Sequence, residues 1–313
     1  MEQSRLLFYQ QASYVAIAAT LLLYLTSGFW LFGVLCGASI LAAVVLEIWV
    51  GIKKHGLMHE IKETASAIAV ALLIWFGAGF LLQTSSPLNA VVSCSMLPNI
   101  QRGDLVLIAG WQINAPQAEI KSVEGLGNAA VFQSGQLVAN VNGSIYSACA
   151  QNPTFPVCKE FLSRPQDFIE VHGEVAFGYE RCEIFYPKSN ERQYGPCVRW
   201  VQAGGKKYYF NASNDVVVYW PKQNEYYAKV GDIIHRAYLI LKAGNQSFVL
   251  TKGDNNPVFD VQVAVGKEGN LPVEMERIKG KVIFSIPVVG YLKLFISPAA
   301  ILTPEGCDRY LVS

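Results

Sequence analysis

Charge is scarce in this 313-residue chain: Asp, Glu, Lys and Arg make up 16% of it, and 25 basic residues nearly cancel 24 acidic ones for a formal net charge of +1. A balance so close to zero offers no electrostatic footprint for nucleic acid and no acidic tail, so nucleic acid is not expected as a partner. Histidine is rarer still, with four residues, and any imidazole chemistry has few candidates. None of the seven cysteines forms a Cys-x-x-Cys pair. The four spaced as Cys149, Cys158, Cys182 and Cys197 lack nearby histidine ligands, a poor zinc pattern. They fit disulfides if their stretch is extracytoplasmic, and free buried cysteine is the alternative. Tandem repeats and low-complexity segments are also absent, and no metal or organic cofactor is implied.

Hydrophobicity is abundant: 52% of the residues are apolar, above the ordinary soluble average. The length allows about two domains at one per ~100–200 residues. Residues 12–51 are almost wholly apolar, about twice the ~20 residues a helix needs to cross a bilayer. Two transmembrane helices joined near Thr26-Ser27-Gly28 are expected there. Glu47, the only charge in the run, lies about a turn from its end and can reach the interface. A third transmembrane helix is expected at 65–83. The loop between, 52–64, carries Lys53, Lys54 and Lys62, and Arg5 precedes the first span. The positive-inside tendency therefore places the N-terminus, 1–11, and this loop in the cytoplasm, with everything from 84 onward outside. Glu2 weakens a positive n-region and further spans follow, so a cleaved signal peptide is not expected. The expectation is an integral protein of the cell membrane or an equivalent secretory membrane, in contact with lipid.

Beyond residue 84 the pattern changes to short apolar runs such as Leu105-Val106-Leu107-Ile108, Val216-Val217-Val218-Tyr219 and Lys281-Val282-Ile283-Phe284, broken by Gly, Asn, Pro and Asp. This predicts a mostly-β domain from 84–110 and 214–313. Gly103-Asp104 and Gly231-Asp232 each read as a turn before a strand. The stretch 111–213 is less hydrophobic, holds the four spaced cysteines, and reads as an inserted extracytoplasmic subdomain. Sequons at Asn142, Asn211 and Asn245 all fall outside the membrane in this arrangement.

Immediately after the third span comes Val92-Ser93-Cys94-Ser95-Met96-Leu97-Pro98, then Arg102-Gly103-Asp104-Leu105-Val106-Leu107. A serine hydroxyl needs a neighbouring base to attack at neutral pH. His55 and His59 sit in the predicted cytoplasmic loop, across the membrane from Ser95, and His172 lies in the insertion in a context that reads as surface or structural. His235 remains, within Val230-Gly231-Asp232-Ile233-Ile234-His235-Arg236. A third block, Thr251-Lys252-Gly253-Asp254-Asn255-Asn256-Pro257-Val258-Phe259-Asp260, reads by itself as an Asx-rich turn.

Together the three blocks resemble the type I signal peptidases, in the archaeal and endoplasmic-reticulum branch that uses Ser, His and Asp. The resemblance covers about 90–110 and 214–295, including Ile278-Lys279-Gly280-Lys281-Val282 and Ile286-Pro287-Val288-Val289-Gly290-Tyr291, but neither the insertion nor the first two spans. It implies a membrane-anchored serine endopeptidase: three transmembrane helices, then a mostly-β signal-peptidase-like catalytic domain carrying an inserted subdomain. By position, Ser95 is implied as nucleophile and His235 as base, with Asp260 orienting the histidine and Asp254 bracing the site; which aspartate is the third member is left open. The Ser95 N–H and the Ser93 hydroxyl are implied as the oxyanion hole, and Met96 and Leu97 as pocket lining, lipid contact or core. Signal-peptide-bearing pre-proteins are the implied substrates and a secretion translocon an implied partner. Two departures stand out. Cys94 replaces a residue that is often Gly in the family, constraining the turn or forming a bridge such as one to Cys307, and the acidic block lacks the arginine that relatives often carry. A dedicated processor of a few surface proteins, or a non-catalytic adhesion or assembly protein on the peptidase fold, are the alternatives.

Overall fold

The computed structural model describes residues 2–27, 30–294, 304 and 306–312. Its apolar start forms helices α1 (Glu2–Ser27), α2 (Trp30–His55) and α3 (Leu57–Leu81), with α1 lying against α2. The stretches Leu31–His55 and Leu57–Leu81 are 25 residues each, with mean hydropathies of 2.4 and 2.0, long and apolar enough to cross a bilayer. The break expected at Thr26-Ser27-Gly28 coincides with the end of α1; Gly28 lies outside the described residues. Segment 52–64, expected as a loop, is helical apart from Gly56. Its Lys, Leu, Met and Glu residues are good helix formers, and only the glycine, at φ 85°, interrupts them. Because α2 runs on to His55, Glu47 sits just over two turns inside the helix at ~3.6 residues per turn, and its carboxylate accepts a hydrogen bond from the Tyr14 hydroxyl at 3.1 Å.

The end of α3 is tied directly to a β-sheet: Gly110 N–H donates to Leu82 O at 2.7 Å and the Thr84 hydroxyl to Lys279 O at 2.9 Å. That sheet runs Leu88–Ala90, Leu105–Ala109, Ile278–Ile286, Val216–Tyr219, Ile233–Ala243, Gln246–Lys252, Val273–Glu274, with antiparallel neighbours throughout. Gln117–Ile120 joins Ile233–Ala243 in parallel. The central strand is buried along Ile233–Leu241 because cores cover both its faces. A register shift between Ala237 and Leu239 breaks the alternation, so Tyr238 and Leu239 both enter one core while Ala237 and Ile240 enter the other.

A second antiparallel sheet holds most of the stretch expected as an insertion, in the order Gln136–Asn142, Asn128–Gln133, Phe168–His172, Val175–Tyr186, Glu191–Ala203, Lys206–Tyr209. Tyr310–Val312 pairs with the outer half of Val175–Tyr186. The largest core takes Val131, Phe161, Phe177 and Val201 from this sheet and its helices, Tyr238, Leu241 and Phe248 from the other, and Phe259 from the segment that follows it. The stretch 111–213 therefore shares its core with the first sheet, and its Gln117–Ile120 strand belongs to that first sheet outright.

Candidate active site

Ser95 lies in the turn between Leu88–Ala90 and Leu105–Ala109, half-buried. Met96, 1% exposed, anchors the turn in a core with Val91, Ile100, Val106 and Ile234. Asn255 N–H donates to Ser95 O at 2.7 Å, and its side-chain amide to Cys94 O at 3.0 Å. Gly253 permits this approach: a side chain there would begin 2.6 Å from Ser95 O. A disulfide joins Cys94 to Cys307, and the Asn255 amide also donates to Gly306 O and Arg309 O while its oxygen accepts from Leu311 N–H. The Ser95 turn is thus strapped to segment 306–312 as well as to the acidic block. The four spaced cysteines pair as Cys149–Cys158 and Cys182–Cys197, and among the described residues Cys36 is the free one.

His235, on the central strand, is 4% exposed. Its Nε2 stands 3.0 Å from Ser95 Oγ, and its Nδ1 stands 2.8 Å from Asp260 Oδ2. That same carboxylate oxygen accepts from the Tyr219 hydroxyl at 2.9 Å and the Thr251 hydroxyl at 2.6 Å, so three donors fix the carboxylate, and with it the plane and tautomer of the ring. Burial and the adjacent Asp260 charge hold the Tyr219 phenol protonated, its pKa raised well above the ordinary value. Asp254 makes different contacts. It grips Arg236 through two bonds, Nε to Oδ1 at 2.8 Å and Nη2 to Oδ2 at 2.6 Å, and accepts from Asn99 at 2.7 Å. Arg236 Nη1 in turn donates to Ala212 O and Asn214 O. This buried pair fixes the strand beside His235 without touching the imidazole.

Ser93 Oγ lies 3.1 Å from Ser95 Oγ. Both line a cavity of about 40 Å³ with Met96, Val230, Ile233 and His235, a space for one small side chain. Lys252 is buried nearby, and burial pulls its amine down to about 8, against the opposing charges of Asp254 and Asp260. The other histidines stay apart: His55 and His59 face each other at the α2–α3 junction, and His172 is fully buried between Leu126 O and Glu170. Among the described residues no cluster of His, Cys, Asp and Glu suits a metal ion.

Tyr219, Thr251 and Asn255 are the neighbours that sequence reasoning left without a role. Thr251 and Asn255 stand inside the acidic block itself, whereas nothing but spatial proximity marks Tyr219. An ordered Ser–His–Asp relay with a buried carboxylate is suited to acyl transfer.

No family model matches the chain. It is 25% identical to the signal peptidase complex catalytic subunit SEC11 of Coccidioides posadasii over 241 residues, which is 77% of this chain and 82% of that protein. Shorter stretches are 33% identical to SEC11C of Homo sapiens over 91 residues and 38% identical to sec11 of Sclerotinia sclerotiorum over 65 residues, covering 47% and 37% of those proteins and 27% and 21% of this chain. The chain thus shows distant homology to SEC11, the catalytic subunit of the signal peptidase complex and itself a type I signal peptidase of the endoplasmic-reticulum and archaeal branch.

Proposed function

We propose that this protein is a membrane-anchored serine endopeptidase that removes signal peptides from exported pre-proteins. The observation that carries the reading is the contact chain from half-buried Ser95 Oγ to His235 at 3.0 Å and from His235 to buried Asp260 at 2.8 Å.

In this mechanism His235 Nε2 takes the Ser95 proton as Oγ attacks the scissile carbonyl. Asp260 holds Nδ1–H and stabilises the imidazolium that forms. The Ser95 N–H and the Ser93 hydroxyl receive the developing oxyanion, a role in which one donor is typically worth about 2.7–4 kcal/mol. As the tetrahedral species collapses, the C–N bond breaks and the same proton passes to the leaving amine. Water, deprotonated by His235, then hydrolyses the Ser95 ester. Asp254 serves through Arg236, as a brace. The small cavity beside Ser93 and Met96 accepts an Ala-sized residue before the cut, and the substrate backbone adds as an extended strand beside Leu88–Ala90.

Helices α1–α3 anchor the protein in the cell membrane or an equivalent secretory membrane, in contact with lipid. The junction at Gly56 is cytoplasmic, with Lys53, Lys54 and Lys62 around it, and residues 84–313 lie on the outer face, near the secretion translocon that delivers substrates. The chemistry calls for no cofactor.

The test is cleavage of a secretory precursor by detergent-solubilised protein, with the new N-terminus mapped. Parent protein cuts after a small residue; Ser95→Ala, His235→Ala and Asp260→Asn each lose about 10⁴-fold or more in kcat, while Asp254→Asn acts through stability and retains turnover per folded molecule. Cleavage by Ser95→Ala at the parental rate ends this assignment.

A further inference from the structure

A second cleft, of about 310 Å³, shares no residue with the small cavity at Ser95. Tyr146, Ala150 and Gln151 of helix α4 (Ile145–Gln151) form one wall, and Tyr227, Asn256 and Val263 form part of the other. The cleft touches the neighbours of both reacting groups. The Tyr227 ring packs edge-on to the His235 imidazole, with centroids 6.4 Å apart. Asn256 Nδ2 and Ser95 O lie 2.8 Å and 2.6 Å from the one point where a Gly253 side chain would begin.

Its walls are held and uncharged. Ser147 Oγ donates to Gln262 O at 2.9 Å, and the Gln151 amide donates to Ala264 O at 2.7 Å and accepts from Gly266 N–H at 2.9 Å, which fixes α4 against the segment that follows Asp260. No Asp, Glu, Lys, Arg or His lines the cleft. Its volume is at the lower end of the ~300–1,000 Å³ usual for ligand sites, room for one or two side chains of low polarity.

The chemistry says which part of a substrate belongs there. The imidazole must protonate the amine that leaves, so the residue after the scissile bond begins beside His235, whereas the acyl portion stays at the oxyanion donors. Tyr227 is the ring that flanks this imidazole, and the cleft opens against Tyr227. We propose that the cleft binds the first one or two residues after the cut, and that α4, which lies in the stretch outside the peptidase resemblance, makes the enzyme prefer uncharged, apolar residues at those positions. The proposal rests on the peptidase reading above.

The experiment uses full-length protein and a set of precursors that differ only after the cut, carrying Phe, Ala, Glu or Lys there. Ala150 is exposed on the cleft wall, so Ala150→Asp and Ala150→Lys introduce opposite charges without displacing core. The readout is the ratio of kcat/KM for Lys against Glu substrates within each variant, from which any general loss of activity cancels. Parent protein should favour Phe over both charged residues. Ala150→Asp should raise the Lys-to-Glu ratio, and Ala150→Lys lower it, each by about tenfold, the smaller end of pocket discrimination. If the parent cleaves every precursor and neither variant moves the ratio, the cleft does not hold the leaving segment, while the peptidase reading stands. A parent that cleaves none of them overturns both.

Discussion

At the residue scale, two aspartates six positions apart meet different fates because their partners differ. Asp260 reaches the imidazole and Asp254 a guanidinium, a distinction that spacing in the acidic block leaves open and packing decides. Within reach of both charges is Lys252, 8% exposed, whose amine falls from 10.5 to about 8 on burial. The unfolded chain keeps that proton up to 10.5 while the folded one releases it near 8, so in this window the unfolded state binds more protons and stability rises with pH. Below about 8 both forms are protonated and the contribution is flat. Lys252→Met should remove the slope: thermal midpoints in detergent, measured from about pH 7 to about pH 10, should climb for the parent relative to the variant only above about 8. Parallel curves would mean that the ammonium is solvated in the folded protein. Ser95 and His235 were legible because their flanking residues form recognisable strings. Tyr219 and Thr251, equally close to the relay, were not, because a hydroxyl facing a carboxylate leaves no trace in spacing.

At the scale of elements, the expected turns appear where Gly and Asp announced them: Gly103 and Gly231 both take φ 90°, a region that favours glycine. Asp232 then does more than turn the chain, accepting from Asn89 at 3.1 Å and Lys279 at 2.8 Å and so linking the first strand to the Ile278–Ile286 strand. The Cys94–Cys307 bridge of segment 306–312 was open to sequence reading; its contacts with Asn255 were not, since they join residues about 50 positions apart and only folding reveals them. The segment restrains the Ser95 turn through Asn255 and Cys307, and misplacement of a reacting group by about 1 Å costs on the order of 10²-fold. Asn255→Ala, and separately the paired change Cys94→Ser with Cys307→Ser, should therefore lower kcat by about 10- to 100-fold with KM little changed. Initial-rate kinetics on one precursor checks this; an unaltered kcat in both would show that the turn holds itself.

At the scale of the molecule, periodicity announced long apolar helices followed by a β-rich body, and that order is what the chain adopts. The sharing of one core by two sheets was hidden, because a buried Phe161 or Phe177 does not say which sheet it will meet. Orientation is testable through the sequons at Asn211 and Asn245, both on exposed residues. Made in the presence of microsomes, the protein should gain mass that an endoglycosidase removes, and Asn211→Gln with Asn245→Gln should diminish the gain. A body left unglycosylated and open to added protease on the cytoplasmic side would place residues 84–313 on the other face. The bond between residues 94 and 307 spans 213 positions, and this separation becomes a matter of timing in a chain made from its N-terminus. Asp260 leaves the ribosome while Cys307 is still to be translated, an interval on the order of seconds at about 5–20 residues per second. Throughout it the newborn polypeptide holds Ser95, His235 and Asp260 but not the tether on the Ser95 turn. Under the peptidase reading, a chain still on the ribosome therefore works without the strap and should turn over about 10- to 100-fold more slowly than the finished protein.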